Sequence, residues 1–380
     1  MSGKSRSHVL ALDLGTSQIR LAACNAQGQA ETICEYPSLV LVSRPPQRVV
    51  AVGAQAAGVA DGSLPVGVEA LRPLKVGVIA ALDPVVALIR AALNELMGGE
   101  GVFAGLRSKP RVLVGLRATA TDVERALVMQ ALHAVGLRQA VLLPITLAAA
   151  LGAELPINAN RPTCVCDLGA GKVEAAVLRG GEVQMARAWA LGGDWLDHSV
   201  MRSVRRRRGH QITPAMAEQA RFASGEVSLV PPAQPGGRPG TGPLRRRRMG
   251  TGPLMQRVTA GGSFTEAHAG AHSLSGLPEF NSEDMRVGLQ EGVRPLLDQL
   301  LWFWEDMPYD VREAVSDDGL VLTGGLALLP GLADTLAHML QVEVRVAPDP
   351  AAATLRGLAE LTAQPSAWTT PWRPVWEDTP

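Results

Sequence analysis

One local design occurs twice in this chain. Val9–Leu12, an apolar run of strand composition, leads into Asp13, Leu14, Gly15, Thr16 and Ser17, and a second apolar run follows from Ile19 to Cys24. In the second half Thr163–Cys166 leads into Asp167, Leu168, Gly169, Ala170, Gly171 and Lys172, and Val173–Leu178 follows. Each copy reads as a β-hairpin closed by a glycine turn. The repetition implies a duplicated α/β fold whose halves each present backbone N–H groups beside a carboxylate. Backbone donors complement phosphate oxygens and Asp holds Mg²⁺ directly or through water, so a triphosphate with its metal can be clamped between two such turns. A single tight hairpin is equally well a purely structural turn. The duplication favours the phosphate reading.

A third element completes the pattern. Leu320–Leu322 reads as a strand, Thr323, Gly324, Gly325 and Leu326 as a turn, and Pro330–Leu340 as a helix with Leu332, Leu336 and Leu340 on its apolar side. Glycines where a strand hands over to a helix let a flat ring approach the backbone, and the helix N-terminus adds a positive dipole end. The same arrangement also serves structural ends in any α/β protein.

Between these motifs the elements alternate. Asp83-Pro84 opens a helix whose Val85, Leu88, Ile89, Ala92, Leu93 and Leu96 recur at helical spacing. Arg111–Leu116 reads as a strand, and Thr121-Asp122-Val123-Glu124 as a capping box opening a helix that Gly136 closes. Val141–Leu143 is a further strand, followed by a small-residue helix from Thr146 to Leu151. The second half repeats the order with a strand at Val183–Leu191 and a helix from Trp195. At 380 residues the chain can build two α/β lobes with proper cores. Aromatic residues are only 4% against 47% apolar, so those cores are built of Ala, Val and Leu.

The formal charge is zero, which argues against nucleic acid as a partner. Cys164 and Cys166 point to one strand face, too closely spaced for a zinc clip, so reduced core thiols are expected, as at Cys24 and Cys34. Met1–Ser7 is polar and unlike a signal peptide, and the longest apolar stretch, Val141–Ala153, is too short to span a bilayer and is broken by Pro144. A cytoplasmic protein is expected.

With these motifs in order, the chain resembles the actin-like ATPase superfamily and, within it, the bacterial actin MreB family. The resemblance spans most of the sequence. It runs through Pro37–Val40, Val52-Gly53, Arg72–Ala80, Ala148–Ala153, Gly192–Asp197, Ser275–Pro278 and Leu322–Gly325 as well as the two hairpins. It implies an α/β actin-like fold, two ribonuclease-H-like lobes around a nucleotide cleft. ATP and Mg²⁺ are the implied cofactors, with Asp13 and Asp167 managing the metal. Gly15, Thr16, Ser17, Gly169, Ala170, Gly171 and Lys172 would border the phosphates, with Gly193 and Asp194 beside them. Gly324, Gly325 and Leu326 would face the adenosine. Glu218 and Arg221, one turn apart on a helix opened by Thr213-Pro214, align with residues that touch ribose and adenine in the family; on spacing alone they form an i,i+3 ion pair.

The departures concern hydrolysis. MreB-like sequences carry Glu-Glu-Pro where this chain has Pro144-Ile145-Thr146, so both carboxylates are absent. The Thr146 hydroxyl can hydrogen-bond a water but cannot act as a carboxylate base, which leaves Asp167 as the remaining acidic candidate for catalysis. Ala170 replaces a glycine of the second phosphate turn, Lys172 and Val173 replace two threonines, and Leu326 replaces a glycine of the adenosine turn. A divergent paralogue with weak or absent hydrolysis is the expectation.

The expected organisation is a first lobe over 1–147 and a second over 148–340. A return segment follows over 341–364, and a Pro/Trp tail over 365–380 carries Trp368, Trp372 and Trp376. Residues 228–262, rich in Pro, Gly and Arg, read as a flexible insert. The arginine runs 205–208 and 245–248 both read as solvated, a contact of the second with anionic lipid or an acidic partner being the alternative. Val102, Phe103 and Leu106 lie in a loop that the resemblance makes a membrane contact; a loop tucked on its own domain is the alternative. The resemblance implies a cytoskeletal protein on the inner face of the cytoplasmic membrane. It would self-associate into filaments, or join a paralogous bacterial actin, and work with cell-wall synthesis proteins. A nucleotide-independent pseudo-actin that regulates true filaments, a small-molecule kinase of the same superfamily and a chaperone-type ATPase are the competing classes. The kinase lacks a catalytic carboxylate beyond Asp167, and the chaperone lacks a β-rich client domain.

Overall fold

A computed structural model describes residues 9–44, 48–60, 64–98, 110–224, 227 and 282–369. The first sheet is built from β1 (Val9–Leu14), β2 (Gln18–Cys24) and β3 (Ala30–Pro37). A small sheet follows from β4 (Val40–Ser43), β5 (Arg48–Val52) and β6 (Val68–Leu71), carrying helix α1 (Gly53–Ala60), with a two-stranded ribbon of β7 (Leu74–Lys75) and β8 (Val78–Ile79). Helix α2 (Leu82–Leu96), β9 (Arg111–Leu116), α3 (Asp122–Ala134), β10 (Gln139–Pro144) and α4 (Ile145–Gly152) complete the first half. The second half contains β11 (Thr163–Leu168), β12 (Val173–Arg179), β13 (Glu182–Trp189), α5 (Gly193–Arg208) and α6 (Pro214–Ser224). Then come α7 (Ser282–Glu305), α8 (Tyr309–Asp318), β14 (Leu320–Thr323), α9 (Leu332–Leu340), β15 (Val344–Val346) and α10 (Ala353–Leu361).

The duplication is a duplication of topology. One sheet runs β10-β9-β1-β2-β3 and the other β15-β14-β11-β12-β13. In each, the strand bearing the aspartate pairs antiparallel with its hairpin partner and parallel with a later strand. Both aspartates therefore emerge at the C-terminal end of a central strand, where α/β sheets present ligand sites.

Strand alternation sorts the side chains. Leu10, Leu12 and Leu14 meet Val85, Leu88, Ile89 and Ala92 of α2 on one face, while Ala11 and Leu113 meet α4 and α10 on the other. In the second sheet Cys164, Cys166 and Leu168 face α5, α7 and α9, and Val165, Ala176 and Leu178 face Ala149 and Ala150 of α4. All four cysteines are buried free thiols. The small side chains of α4 let it lie between the two sheets. It crosses α10 at glycine: a Cβ on Gly152 would sit 1.8 Å from the Ala353 carbonyl oxygen, and one on Gly357 would sit 1.9 Å from that of Ala148.

The residues expected as a return segment divide between the lobes, β15 joining the second sheet beside β14 and α10 packing under the first. Trp368 folds back, its indole N–H donating to the Thr362 carbonyl at 3.0 Å and its ring lying under the Arg111 guanidinium at 3.7 Å. The insert at 228–262, the arginine run 245–248, Val102, Phe103 and Leu106, and Trp372 and Trp376 lie outside the described residues.

Three local expectations need correction. The expected helix from Pro330 begins at Leu332, because Gly331 takes a left-handed φ of 77° at its N-cap and a 3₁₀ turn over Gly325–Leu328 precedes it. The run 205–208 is not simply solvated: Arg207 and Arg208 both bond the buried Asp284 carboxylate, at 2.8 and 2.7 Å, and Arg206 bonds Glu291, so the end of α5 is riveted to α7. Glu218 and Arg221 do not pair with each other, since α6 lies against α5 and across from β6, and each finds a partner there.

Candidate functional site

Between the lobes lies a cavity of about 240 Å³. Its walls include the first hairpin turn from Asp13 to Gln18, the second from Gly169 to Lys172 with Asp167, and Gly324, Gly325 and Leu326 after β14. Gly193, Glu218 and Arg221 also line it. Thus the structure gathers nearly every residue that the sequence placed at the nucleotide. Asp194 is not among the lining residues, although its neighbour Gly193 is, and Thr146 lies elsewhere: its side chain is fully buried in α4, its hydroxyl without a hydrogen-bond partner among the described residues, while Ile145 lines the cavity.

Backbone close approach explains the glycines. A Cβ on Gly15 would lie 2.4 Å from the Gln18 carbonyl oxygen, and Gly324, at φ 80°, approaches the Leu168 carbonyl as closely. A Cβ on Gly171 would lie 2.3 Å from Thr16 Oγ1, so the two hairpin turns touch at their tips. At about 240 Å³ the cavity is smaller than the 300–1,000 Å³ common for ligand sites.

The electrostatics differ from a bare pair of aspartates. Arg20, opposite Asp13 in the β1–β2 register, lies 3.7 Å from its carboxylate and also bonds Glu35 at 3.1 Å. Burial pushes the Asp13 carboxyl up to about 6, with Arg20 opposing and Asp167 adding to the rise. Asp167 accepts from Thr323 Oγ1 at 3.2 Å and from the Lys172 ammonium at 3.3 Å. Lys172 also donates to Glu174 at 2.9 Å, and Glu174 accepts the Ala118 backbone N–H at 2.6 Å, joining the second lobe to the first. Burial alone would lower the Lys172 pKa, but Glu174 and Asp167 outweigh it and hold the ammonium charged. Gly77, on the ribbon, packs on the Lys172 methylenes: a Cβ there would be 2.8 Å from Cδ.

Arg72, in the connection just after β6, spans the cleft to Asp194 at 3.4 Å and Glu218 at 3.5 Å. Arg221 makes a two-point contact with Asp197, at 2.7 and 3.2 Å, both side chains being buried. Sequence reasoning missed Arg72, Arg20, Glu174 and Gly77. Glu174 was detectable as a lone charge in an apolar strand and Arg20 as the hairpin residue facing Asp13; Arg72 and Gly77 meet partners far away in sequence, which no local pattern reports.

The residues present do not fit a divalent cation at Asp167. The Lys172 ammonium already lies against that carboxylate at 3.3 Å, in the place where a cation would have to approach it. The glycine turns and the apolar Leu326, Leu328 and Ala352 on the wall do fit a nucleoside phosphate.

Comparison with known proteins decides the family. The model of the MreB/Mbl protein family matches residues 7–234 and 264–369. The chain belongs to the MreB/Mbl family. Among its MreB/Mbl relatives, the cell shape-determining protein MreB of Escherichia coli (strain K12) is 30% identical over 355 residues, covering 92% of each chain. The cell shape-determining protein Mbl of Bacillus subtilis (strain 168) is 28% identical over 344 residues, covering 90% of this chain and 91% of its own. The structure of MreB5 of Spiroplasma citri bound to AMPPNP superposes with a TM-score of 0.73 at 20% identity, over 94% of this chain and 96% of the other. A MamK double helical filament gives 0.65 at 15% identity, over 93% and 98%. The fold is actin-like. No helix among the described residues is long and apolar enough to cross a membrane.

Proposed function

We propose that this chain is a cytoskeletal protein that determines cell shape by self-associating into filaments, with an adenine nucleotide between its lobes. The observation that carries the reading is the match to a cell shape-determining MreB over 92% of both chains. The MamK relative is a double helical filament, and the MreB5 relative binds AMPPNP, which supports self-association and the nucleotide respectively. The filaments lie on the inner face of the cytoplasmic membrane and guide cell-wall synthesis. For the membrane contact, the sequence offers Val102, Phe103 and Leu106.

Hydrolysis in this reading is weak or absent. Ile145 is the side chain of Pro144–Thr146 on the cavity wall, and a branched alkyl group neither orients nor deprotonates water. Binding falls to the hairpin backbones and the glycine turn after β14, which accept a ligand without chemistry on it.

Deletion in the source cell, with a fluorescent fusion for localisation, tests the role. The expected outcome is altered cell width and envelope-associated fluorescence; normal shape with diffuse fluorescence overturns it. One observation favours a second reading, a nucleotide-independent scaffold: Asp167 is already ion-paired within the chain. Filaments that form equally with nucleotide removed by apyrase would select it.

A further inference from the structure

We propose that Lys172 is a tethered cation standing where a divalent ion would sit, so that the cleft is a metal-independent site for a nucleoside diphosphate. This rests on the nucleotide reading above and deepens it.

Three observations converge. First, the Lys172 ammonium lies 3.3 Å from Asp167 and 2.9 Å from Glu174, and its side chain is only 9% exposed. It is a built site: Thr323 orients Asp167, the Ala118 N–H orients Glu174, and Gly77 leaves room for the lysine methylenes. Any other residue at 77 would press on that chain. Second, an ammonium carries three donors. Two go to the carboxylates, and the third has no acceptor among the described residues while Lys172 lines the cavity. A phosphate oxygen satisfies it. A charged donor held in a poorly hydrated site binds phosphate more strongly than the same group in water.

Third, charge and space select the diphosphate. The cavity wall carries five carboxyl side chains (Asp13, Glu35, Asp167, Glu218, Asp349) against three basic ones, of which Arg221 is spent on Asp197. A divalent ion would offset the extra charge of a γ-phosphate. A single ammonium does not, so the more highly charged triphosphate is disfavoured. The contact between Gly171 and Thr16 also narrows the gap between the two turns, which favours the shorter phosphate chain.

Calorimetry on the full chain with ADP and ATP, each in excess Mg²⁺ and in EDTA, tests the proposal. ADP affinity should change by less than about twofold between the two buffers, and ATP in EDTA should bind at least about tenfold more weakly than ADP. Lys172→Thr should lose ADP affinity in EDTA and recover part of it with Mg²⁺; the wild-type comparison stands even if that variant fails to fold. ADP binding that falls tenfold in EDTA overturns the tethered-cation role while leaving the nucleotide reading intact. ATP binding as tightly as ADP in EDTA overturns the diphosphate preference. No binding of either nucleotide in either buffer overturns this proposal and the nucleotide reading together.

Discussion

The carboxylate of Glu174, in the second lobe, accepts the backbone N–H of Ala118, in the first, at 2.6 Å, while its other oxygen takes the Lys172 ammonium at 2.9 Å. A fully buried acid thus ties the lobes together and fixes the ammonium that lines the cleft. Removing Glu174 orphans the Ala118 N–H and leaves Lys172 with Asp167 as its remaining carboxylate, so the loss should approach the about 3–5 kcal/mol that breaking a buried pair costs. Glu174→Ala should lower the urea midpoint accordingly, and the double variant with Lys172→Met should recover part of the loss. Additive losses would show that the pair is not coupled.

The crossing of α4 and α10 depends on two glycines. A methyl group at Gly152 or Gly357 would collide with a backbone carbonyl oxygen at 1.8 or 1.9 Å, so the helices must separate. Gly152→Ala and Gly357→Ala should each destabilise the protein by about 1–3 kcal/mol or more. Gly58→Ala is the control: it lies in α1 with nothing within 4 Å of the new Cβ, and the helix should gain about 0.5–1 kcal/mol. Thermal unfolding that fails to separate the first two variants from the third would refute the close crossing.

The pKa of Asp13 makes stability pH-dependent. Its carboxyl rises from 3.8 to about 6 on folding, so between those values the folded protein retains a proton that the unfolded chain has released. From this group, stability falls as pH rises through that window and is level above it. The shift corresponds to a penalty on the order of 3 kcal/mol. Asp13→Asn should be more stable than wild type at pH 7.5 and lose the advantage near pH 4, with Arg20 keeping Glu35 as partner. Urea unfolding at the two pH values measures both; no gain at the higher pH would contradict the assignment.

Burial pushes the Cys34 and Cys164 thiols up to about 12, that of Cys166 well above its usual range, and raises that of Cys24. Since the thiolate is the reactive form, native protein at pH 8 should react with an aromatic disulfide reagent far more slowly than denatured protein. Rapid reaction of any thiol would mean that a β-sheet core opens readily.

The hairpins, β9, the Thr121–Glu124 capping box and the strand after the second lobe's long helices were legible because their signals are local: glycine at a turn, alternation along a strand, a cap three residues from its partner. Glycines 15, 169, 171, 193, 324 and 325 pointed to one cleft through the repeated turns and the family resemblance, and the structure places them around one cavity; a Cβ on Gly15, Gly171 or Gly324 would lie within 2.4 Å of a neighbouring atom, while Gly325 has open space. Charge pairing was not legible. Arg221 looked matched to Glu218 one turn away, yet α5 brings Asp197 closer and Arg72 reaches Glu218 from the connection just after β6. The same limit hid the partners of Lys172. Its substitution for a threonine was visible, while its engagement with Asp167 and Glu174 depends on the hairpin's register and on the turn that curls it back.

Filament formation by the purified chain tests the central claim most directly. Sedimentation and negative-stain electron microscopy of the full chain, with ADP in EDTA and with ATP in Mg²⁺, should show pelletable polymer that resolves into filaments, and phosphate release near background. A chain that remains monomeric in both conditions at concentrations well above those of a cell would contradict the assignment as a cytoskeletal filament protein.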